Sequence, residues 1–270
     1  MAIRRLLREV ALIAGVMLLY EYGRIGLGDR AVLAFYHASD IMKLEKEVGI
    51  FIEKQVQDLF LRSDLLITLA NGVYTFFYYP VLAVAAIWLY VKYPHRWVFV
   101  RNVFIISAVI SFTVFILYPV APPRYFSYLG FVDTMANFGR ISYDSTGLHK
   151  AYNPYAAVPS MHFAWTLLAS GAIFFIAKNR MLKTAGALVP PFMLLSIVAT
   201  GNHFLLDAVA GLLLIALALG LAWMFRRPNS RLFPQRLCLQ EPGIEMISSA
   251  EGEGQPVDSA WLVTSARIHH

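Results

Sequence analysis

Long apolar runs, separated by short basic segments, dominate the pattern of hydrophobic and polar positions along this chain. A helix that crosses a lipid bilayer needs about 20 predominantly apolar residues, and every backbone group inside it must be satisfied within the segment. Four runs meet that length alone, and the fifth meets it when Asp207 is included. The pattern therefore predicts an all-α membrane bundle. The runs free of Asp, Glu, Lys and Arg are 65–91, 102–123, 151–177, 184–206 and 208–225.

Six transmembrane helices are predicted. The first covers residues 5–26, where Arg4, Arg5 and Arg8 precede a short apolar run. A cleaved signal peptide or a shallow anchoring helix would give a similar pattern, but no small-residue cleavage pattern follows, so we expect an uncleaved span. The other spans are predicted at 65–91, 98–119, 160–177, 183–200 and 203–225.

Residues 27–64 differ from the rest because their apolar positions alternate with charged ones. The apolar residues recur at helical spacing, which predicts an interfacial amphipathic helix that lies along the membrane surface or over one end of the bundle. Its apolar positions are Ile41, Leu44, Val48, Phe51, Ile52, Val56, Leu59 and Phe60.

Four segments follow from this pattern. Residues 1–26 form an N-terminal transmembrane anchor, 27–64 an extracytoplasmic amphipathic segment and 65–225 a five-helix catalytic membrane core. Residues 226–270 are polar and without periodicity, which is typical of a disordered tail.

The distribution of basic residues predicts the orientation in the inner (plasma) membrane. Cytoplasmic connections carry an excess of Lys and Arg. Both termini are therefore expected in the cytoplasm, and the loops 27–64, 120–159 and 200–203 outside it. The crowded basic residues are Arg4, Arg5, Arg8, Lys92, Arg96, Arg101, Lys178, Arg180, Lys183, Arg226 and Arg227.

Composition excludes two other classes of function. The net charge is +6 with a pI near 9.4, but the basic residues lie between apolar runs and not in one stripe, so no nucleic-acid partner is expected. Cys238 is the only cysteine, which excludes an internal disulfide and a thiolate metal site.

The candidate chemistry lies in the ionisable residues placed inside spans, which are costly there and functional by default. His162 begins the fourth span, and His203 begins the sixth, at the same predicted depth. Asp207 follows His203 by four residues, so both share one helix face. The carboxylate would hold one imidazole nitrogen and leave the other free to attack, while His162 would donate a proton to the leaving group.

An anion site is predicted beside these residues. The fourth and sixth helices both begin at the outer face, where free backbone N–H groups and positive dipole ends would converge on a phosphate. Arg124, Ser160 and Asn202 are the candidate phosphate-binding side chains, with Arg124 offering a planar bidentate charge.

Three alternatives stay open on the residues alone. The histidines could be polar anchors at helix ends. His162, His203 and Asp207 could bind a metal ion, although no third strong ligand is obvious and helix N-termini repel cations. A lipid transporter or channel could use the histidines as a proton path, but the spans show no inverted repeat. We expect neither a metal nor another cofactor.

The motifs Pro159-Ser160-Met161-His162 and His203-x-x-x-Asp207, with Arg124 upstream, resemble the type 2 phosphatidic acid phosphatase superfamily. The resemblance covers about residues 40–225. Tyr118–Arg124 (YPVAPPR) and Gly201-Asn202-His203 are similar to the inositol phosphorylceramide synthase branch and its bacterial relatives. That family usually has Ser-Arg where this chain has Ser196-Ile197, and Gly where it has Met161, which favours the phosphotransferase-like branch.

The resemblance implies a six-helix bundle and a metal-independent reaction through a phosphohistidine. His203 would be the nucleophile, Asp207 its orienting partner and His162 the general acid. The expected enzyme transfers a phosphoryl-containing group from a lipid phosphate ester or diester to an inositol-like alcohol or to water at the extracytoplasmic face. Plain phosphatase activity is the alternative. Loop residues that could bind a polyol acceptor are Asp133, Asn137, Asp144 and Asn153.

Overall fold

The computed structural model describes residues 2–22, 30–138 and 155–225, and these are almost entirely helical. Within them the only β-type pairing is an isolated bridge between Val120 and Ala156. The predicted all-α class is therefore confirmed for the described chain. The α-helices are α1 (Ala2–Tyr22), α2 (Ala31–Val48), α3 (Glu53–Leu61), α4 (Asp64–Gly72), α5 (Tyr78–Lys92), α6 (Pro94–Leu117), α7 (Thr134–Phe138), α8 (Met161–Ile176), α9 (Arg180–Ala199) and α10 (Leu205–Met224).

Four helical segments of the described chain are long and apolar enough to cross a membrane. They are Asp64–Lys92, Pro94–Leu117, Arg180–Ala199 and Leu205–Met224. The predicted fourth span is a shorter apolar helix, Met161–Ile176, and α1 is not among the four. These helices are compatible with an integral membrane protein, and the total of six spans stays a prediction.

Residues 64–92 form one continuous helical segment with an irregular centre. A five-residue π-helix, Val73–Phe77, joins α4 to α5. Such wide turns are rare and occur often at functional sites. Tyr74 lies in the π-helix, and Tyr78 is the first residue of α5. Both tyrosines are buried.

Close packing between helices depends on small residues at two crossings. A Cβ added to Gly186 of α9 would lie 2.8 Å from the carbonyl oxygen of Ser170 in α8, and one added to Gly211 of α10 would lie 2.8 Å from that of Ser160. Small residues let membrane helices approach closely without a hydrophobic driving force. The second crossing holds the start of α8 against α10, which brings the two predicted histidine motifs together.

Residues 27–64 depart from the predicted single amphipathic helix. The described part forms α2 and α3, and Ser63 caps α4 by accepting from the Leu66 amide. Gly49 separates α2 from α3 because it adopts a left-handed conformation, φ 78°, that a glycine accommodates without strain. Both helices pack on the bundle, α2 against α10 and α3 against α9. The described part is therefore two helices and not one, and its placement along the membrane surface or over one end of the bundle stays a prediction.

Some predicted features lie outside the described residues. The tail 226–270 is one, and the loop residues Asp144 and Asn153 are others. Of the proposed acceptor-binding residues, Asp133 and Asn137 are described. The Asp133 carboxylate accepts from the amides of Met135 and Ala136, which caps the short helix α7.

Candidate active site

His203 is held by two oxygen atoms at one ring nitrogen. Its Nδ1 lies 2.9 Å from the carbonyl oxygen of Ala157 and 3.2 Å from Oδ2 of Asp207. Both neighbours are acceptors, so Nδ1 carries the proton and Nε2 carries the lone pair of the neutral ring. His203 is 4% exposed and Asp207 is fully buried. The structure thus gives His203 the tautomer that a nucleophilic Nε2 requires.

The second histidine lies beside the first. The ring centroids of His162 and His203 are 6.1 Å apart. His162 is in the first turn of α8, where Ser160 caps the helix through a 3.5 Å bond from the Phe163 amide. The Ser160 amide donates to the Asp207 carbonyl oxygen at 2.9 Å. The starts of α8 and α10 are therefore joined directly, and the two imidazoles meet at that junction.

Two tyrosines from the irregular turn of the second span pack on His162. The ring of Tyr74 stacks on it at 4.3 Å between centroids, and the ring of Tyr78 lies at 4.8 Å. Tyr78 also stacks on Trp165 at 6.3 Å, and Trp165 donates to the Ser107 hydroxyl at 3.0 Å. This aromatic wall restricts the orientation of the His162 ring.

Arg124 packs against the short turn that precedes His203 in the chain. Its guanidinium donates to the Asn202 side-chain oxygen, and its Nε is 3.6 Å from the Asp133 carboxylate. Its backbone amide donates to the Gly201 carbonyl oxygen at 2.8 Å. The predicted phosphate-binding residues Arg124 and Asn202 are thus brought together. Their contacts also fix the turn at Gly201, where φ is 66°.

One prediction about the anion site is wrong. The first-turn amides of α10 are not available to a phosphate, because carboxylates accept from them. Glu53 accepts from the Leu205 amide at 2.9 Å and Glu45 from the Leu206 amide at 2.7 Å, while Asp207 accepts from the Phe204 amide at 2.9 Å. A helix N-terminus attracts negative charge, and here side chains of the protein itself occupy it.

Glu45 has an unusual protonation behaviour. Its pKa is raised from 4.5 to about 9, mainly by burial and also by the neighbouring carboxyls of Glu53 and Asp207, while the bond from the Leu206 amide lowers it. Near neutral pH Glu45 is therefore protonated, which removes one of the like charges from a crowded site.

Sequence reasoning missed Glu45 and Glu53, although a signal existed. Ala34, Ala38 and Ile41 form the buried stripe of α2, and Glu45 continues it at the next helical position. An acid on the buried stripe of an amphipathic helix needs a partner. Tyr74 and Tyr78 also belong to the site, because both rings contact the ring of His162.

No group of three or more His, Cys, Asp or Glu side chains in the described ranges has the arrangement of a metal site. His162 is instead bordered by aromatic rings, and the Nδ1 of His203 is directed at two acceptors.

Comparison with known proteins gives one match. A family model described as the PAP2 superfamily matches residues 39–221. No curated protein and no solved structure matches the chain. The matched region contains all six predicted site residues and both glutamates, and it begins within α2.

Proposed function

Since the chain belongs to the PAP2 superfamily, we propose that it transfers a phosphoryl-containing group from a lipid phosphate ester or diester to an alcohol or water, with His203 as the nucleophile. Membership in this superfamily indicates a membrane enzyme of the lipid phosphatase or phosphotransferase type. The observation that carries the mechanism is the pair of imidazoles 6.1 Å apart, one of them held at Nδ1 by a buried carboxylate.

In the first step the lone pair on Nε2 of His203 attacks phosphorus, and the bond from phosphorus to the lipid oxygen breaks. The ring becomes cationic, and Asp207 with the Ala157 carbonyl stabilises the charge at Nδ1–H. His162 donates a proton to the departing oxygen. In the second step neutral His162 removes a proton from the acceptor, which attacks the phosphohistidine and regenerates His203.

Phosphoryl transfer depends mainly on positioning and on charge stabilisation at the phosphoryl oxygens. We assign these roles to Arg124, Ser160 and Asn202. Because the start of α10 is occupied by carboxylates, the guanidinium of Arg124, whose side chain is 8% exposed, is the main positive group. Its planar donors suit a phosphate.

A lipid substrate agrees with the surroundings of the site. An apolar cavity of about 320 Å³ lies among α1, α5, α6 and α8, with Tyr79, Leu82, Phe104 and Trp165 in its lining. Trp165 stacks on Tyr78, which contacts His162, so the cavity and the aromatic wall of the site share Trp165. We assign it to an alkyl chain of the lipid.

The acceptor follows from the resemblance of the YPVAPPR and Gly201-Asn202-His203 segments to the inositol phosphorylceramide synthase branch, which favours an alcohol over water. The placement of the reaction at the extracytoplasmic face follows from the distribution of basic residues. Asp133 and Asn137 are near Arg124 in the chain and are candidate contacts for acceptor hydroxyls.

The experiment that tests the proposal is capture of the covalent intermediate. Purified protein in detergent micelles is mixed with 32P-labelled phosphatidic acid and quenched. We expect label on the wild-type protein that is acid-labile and base-stable, as a phosphohistidine is. His203→Ala should lose both label and turnover, while His95→Ala, an exposed histidine at the start of α6, should keep them.

Three outcomes decide between the functions considered. Full turnover by His203→Ala would overturn the mechanism. Strong inhibition by EDTA would favour the metal alternative. Transport of lipid without any turnover or label would favour the transporter. Comparison of the products with and without added inositol distinguishes transfer to an alcohol from hydrolysis.

A further inference from the structure

Two buried acids from the layer formed by α2 and α3 reach the first turn of α10, which begins two residues after His203. Glu45 is in the last turn of α2, and Glu53 is the first residue of α3, on either side of the Gly49 turn. Both are 0% exposed. Each uses one carboxyl oxygen for a first-turn amide of α10, namely Leu206 and Leu205.

We propose that Glu45 and Glu53 are positioning residues that fix the first turn of α10, and thereby the geometry between His203 and Asp207. The proposal rests on the proposed function, since it assigns them a role in the same reaction. They touch neither the reacting atoms nor the imidazole and act through the backbone.

The turn between His203 and Asp207 contains three backbone amides, and each has a carboxyl acceptor. The Phe204 amide donates to Asp207, and the next two donate to Glu53 and Glu45. An α-helix leaves its first amides without internal partners, so external acceptors decide how this turn is held. Loss of one acceptor would leave a buried donor unsatisfied and free the turn to move.

The layer that carries these acids is itself attached to the loop beside Arg124. One turn after Glu53, the Gln57 side chain makes two bonds with the backbone of Val132, at 2.9 and 3.0 Å. Val132 is next to Asp133, which lies against Arg124. The helices α2 and α3 therefore contact two parts of the site. Their glutamates bind the first turn of α10, and Gln57 binds the loop next to Arg124.

Three buried acids meet at the start of α10, and the repulsion among them is smaller when Glu45 is uncharged. The groups that face Glu45 are Glu53 from α3 and Asp207 from α10, with His203 beyond Asp207. Because the pKa of Glu45 is raised to about 9, its uncharged acid form accepts the Leu206 amide bond near neutral pH. Glutamine reproduces that form, with the same reach and a carbonyl acceptor.

The decisive variants test the length of the Glu45 side chain separately from its ionisable acid group. In Glu45→Gln the acceptor and its reach stay, so kcat on phosphatidic acid micelles should stay within about threefold of wild type. In Glu45→Asp the acid stays but is one methylene shorter, so kcat should fall at least tenfold with KM changed by less than threefold. Glu53→Asp should behave like Glu45→Asp. Glu47→Asp, an exposed acid of the same helix with a 61% exposed side chain, is the matched control.

The pH dependence gives a second readout. A group whose pKa is raised on folding stabilises the protein fully below its unfolded value, here 4.5, and that stabilisation is lost as the pH rises to about 9. The alkaline fall of kcat and of thermal stability should therefore begin earlier in wild type than in Glu45→Gln. An unchanged alkaline limb in Glu45→Gln would contradict the neutral form of Glu45.

Amide hydrogen exchange separates this proposal from the proposed function, because it needs no substrate. We expect the amides of Leu205 and Leu206 to exchange at least tenfold faster in Glu45→Asp and Glu53→Asp than in wild type, Glu45→Gln and Glu47→Asp. Unchanged exchange overturns the proposal. Faster exchange with wild-type kcat also overturns it, since the contacts would then be structural alone. If the wild type turns over no lipid phosphate, the proposed function fails, while the exchange result still tests the contacts.

Discussion

The bundle buries carboxylates at two places and compensates them in different ways. In the body of the bundle Glu9 of α1 accepts two bonds from one guanidinium nitrogen of Arg101 in α6, at 2.6 and 2.7 Å, and a third from the Trp97 indole at 3.0 Å. At the site Glu45, Glu53 and Asp207 meet, and each accepts a hydrogen bond from a backbone amide. Glu9 is paired with a cationic side chain, whereas the three acids at the site are held by neutral amide donors.

We propose that this difference separates acids that hold the fold from acids that serve the chemistry. Glu9, paired with Arg101, joins α1 to α6. In the proposed reaction the negative charge of Asp207 and Glu53 next to His203 would favour the cationic ring. We expect substitutions at the site to lower turnover, and substitutions at the paired acid to lower stability.

The largest effect should follow from Asp207→Asn. One oxygen, Oδ2, contacts both Nδ1 of His203 and the Phe204 amide, and asparagine removes the negative charge there, so the cationic ring formed in the reaction would lose its stabilisation. We expect kcat on phosphatidic acid micelles to fall roughly 10²–10⁴-fold, the range of acid–base contributions. The protein should stay folded, because the asparagine oxygen can take the place of Oδ2 and accept both bonds.

Asp64→Asn, at an exposed position in the first turn of α4, is the control and should leave kcat unchanged. Melting temperature and phosphohistidine labelling are measured on both variants. Asp207→Asn with more than half of wild-type turnover would show that the buried carboxylate is structural, and the contrast between the two places would disappear.

A smaller effect is expected from Arg124→Lys. Lysine keeps the charge but loses the planar donors that contact Asn202 and Asp133. Small displacements of a charge clamp cost up to roughly 10²-fold, so kcat/KM should fall by about tenfold or more. The control Arg62→Lys, at the exposed end of α3, should have no effect. Wild-type kcat/KM in Arg124→Lys would remove the phosphate-binding role of Arg124.

The sequence was sufficient for the centre of the site. The four-residue spacing of His203 and Asp207 predicts that their side chains meet, and they are 3.2 Å apart. The predicted shared helix face is wrong, because α10 begins at Leu205 and His203 lies before it. The placement of His162 at the start of another apolar run predicts the same depth, and the rings meet at 6.1 Å. The spacing along the chain and the cost of ionisable groups in lipid are enough to predict both contacts.

The surroundings of the site could not be predicted in the same way. Glu45 is followed by the left-handed Gly49, which ends α2, and the position of α3 after this turn, not the helical period, brings Glu53 to the Leu205 amide. The π-helix that sets Tyr74 against His162 is likewise a matter of tertiary packing. Helix N-termini were predicted as free because their partners lie 152 and 161 residues away in the chain.

The smallest effect on activity should come from the paired acid in the body of the bundle. Glu9→Gln and Arg101→Met each leave one partly buried charge without its ion-pair partner, and the double variant removes both charges. We expect each single variant to lower the melting temperature, and the double variant to be less destabilised than the sum, with a coupling of about 0.5–3 kcal/mol. The kcat of the protein that remains folded should change by less than about twofold, since Glu9 contacts Trp97 and Arg101 in the first two turns of α6. A change in the reaction should appear in KM, because α1 and Arg101 border the cavity assigned to the alkyl chain. A loss of kcat comparable to that of Arg124→Lys would contradict the division between structural and chemical carboxylates, because it would mean that the docking of α1 controls the geometry at His203.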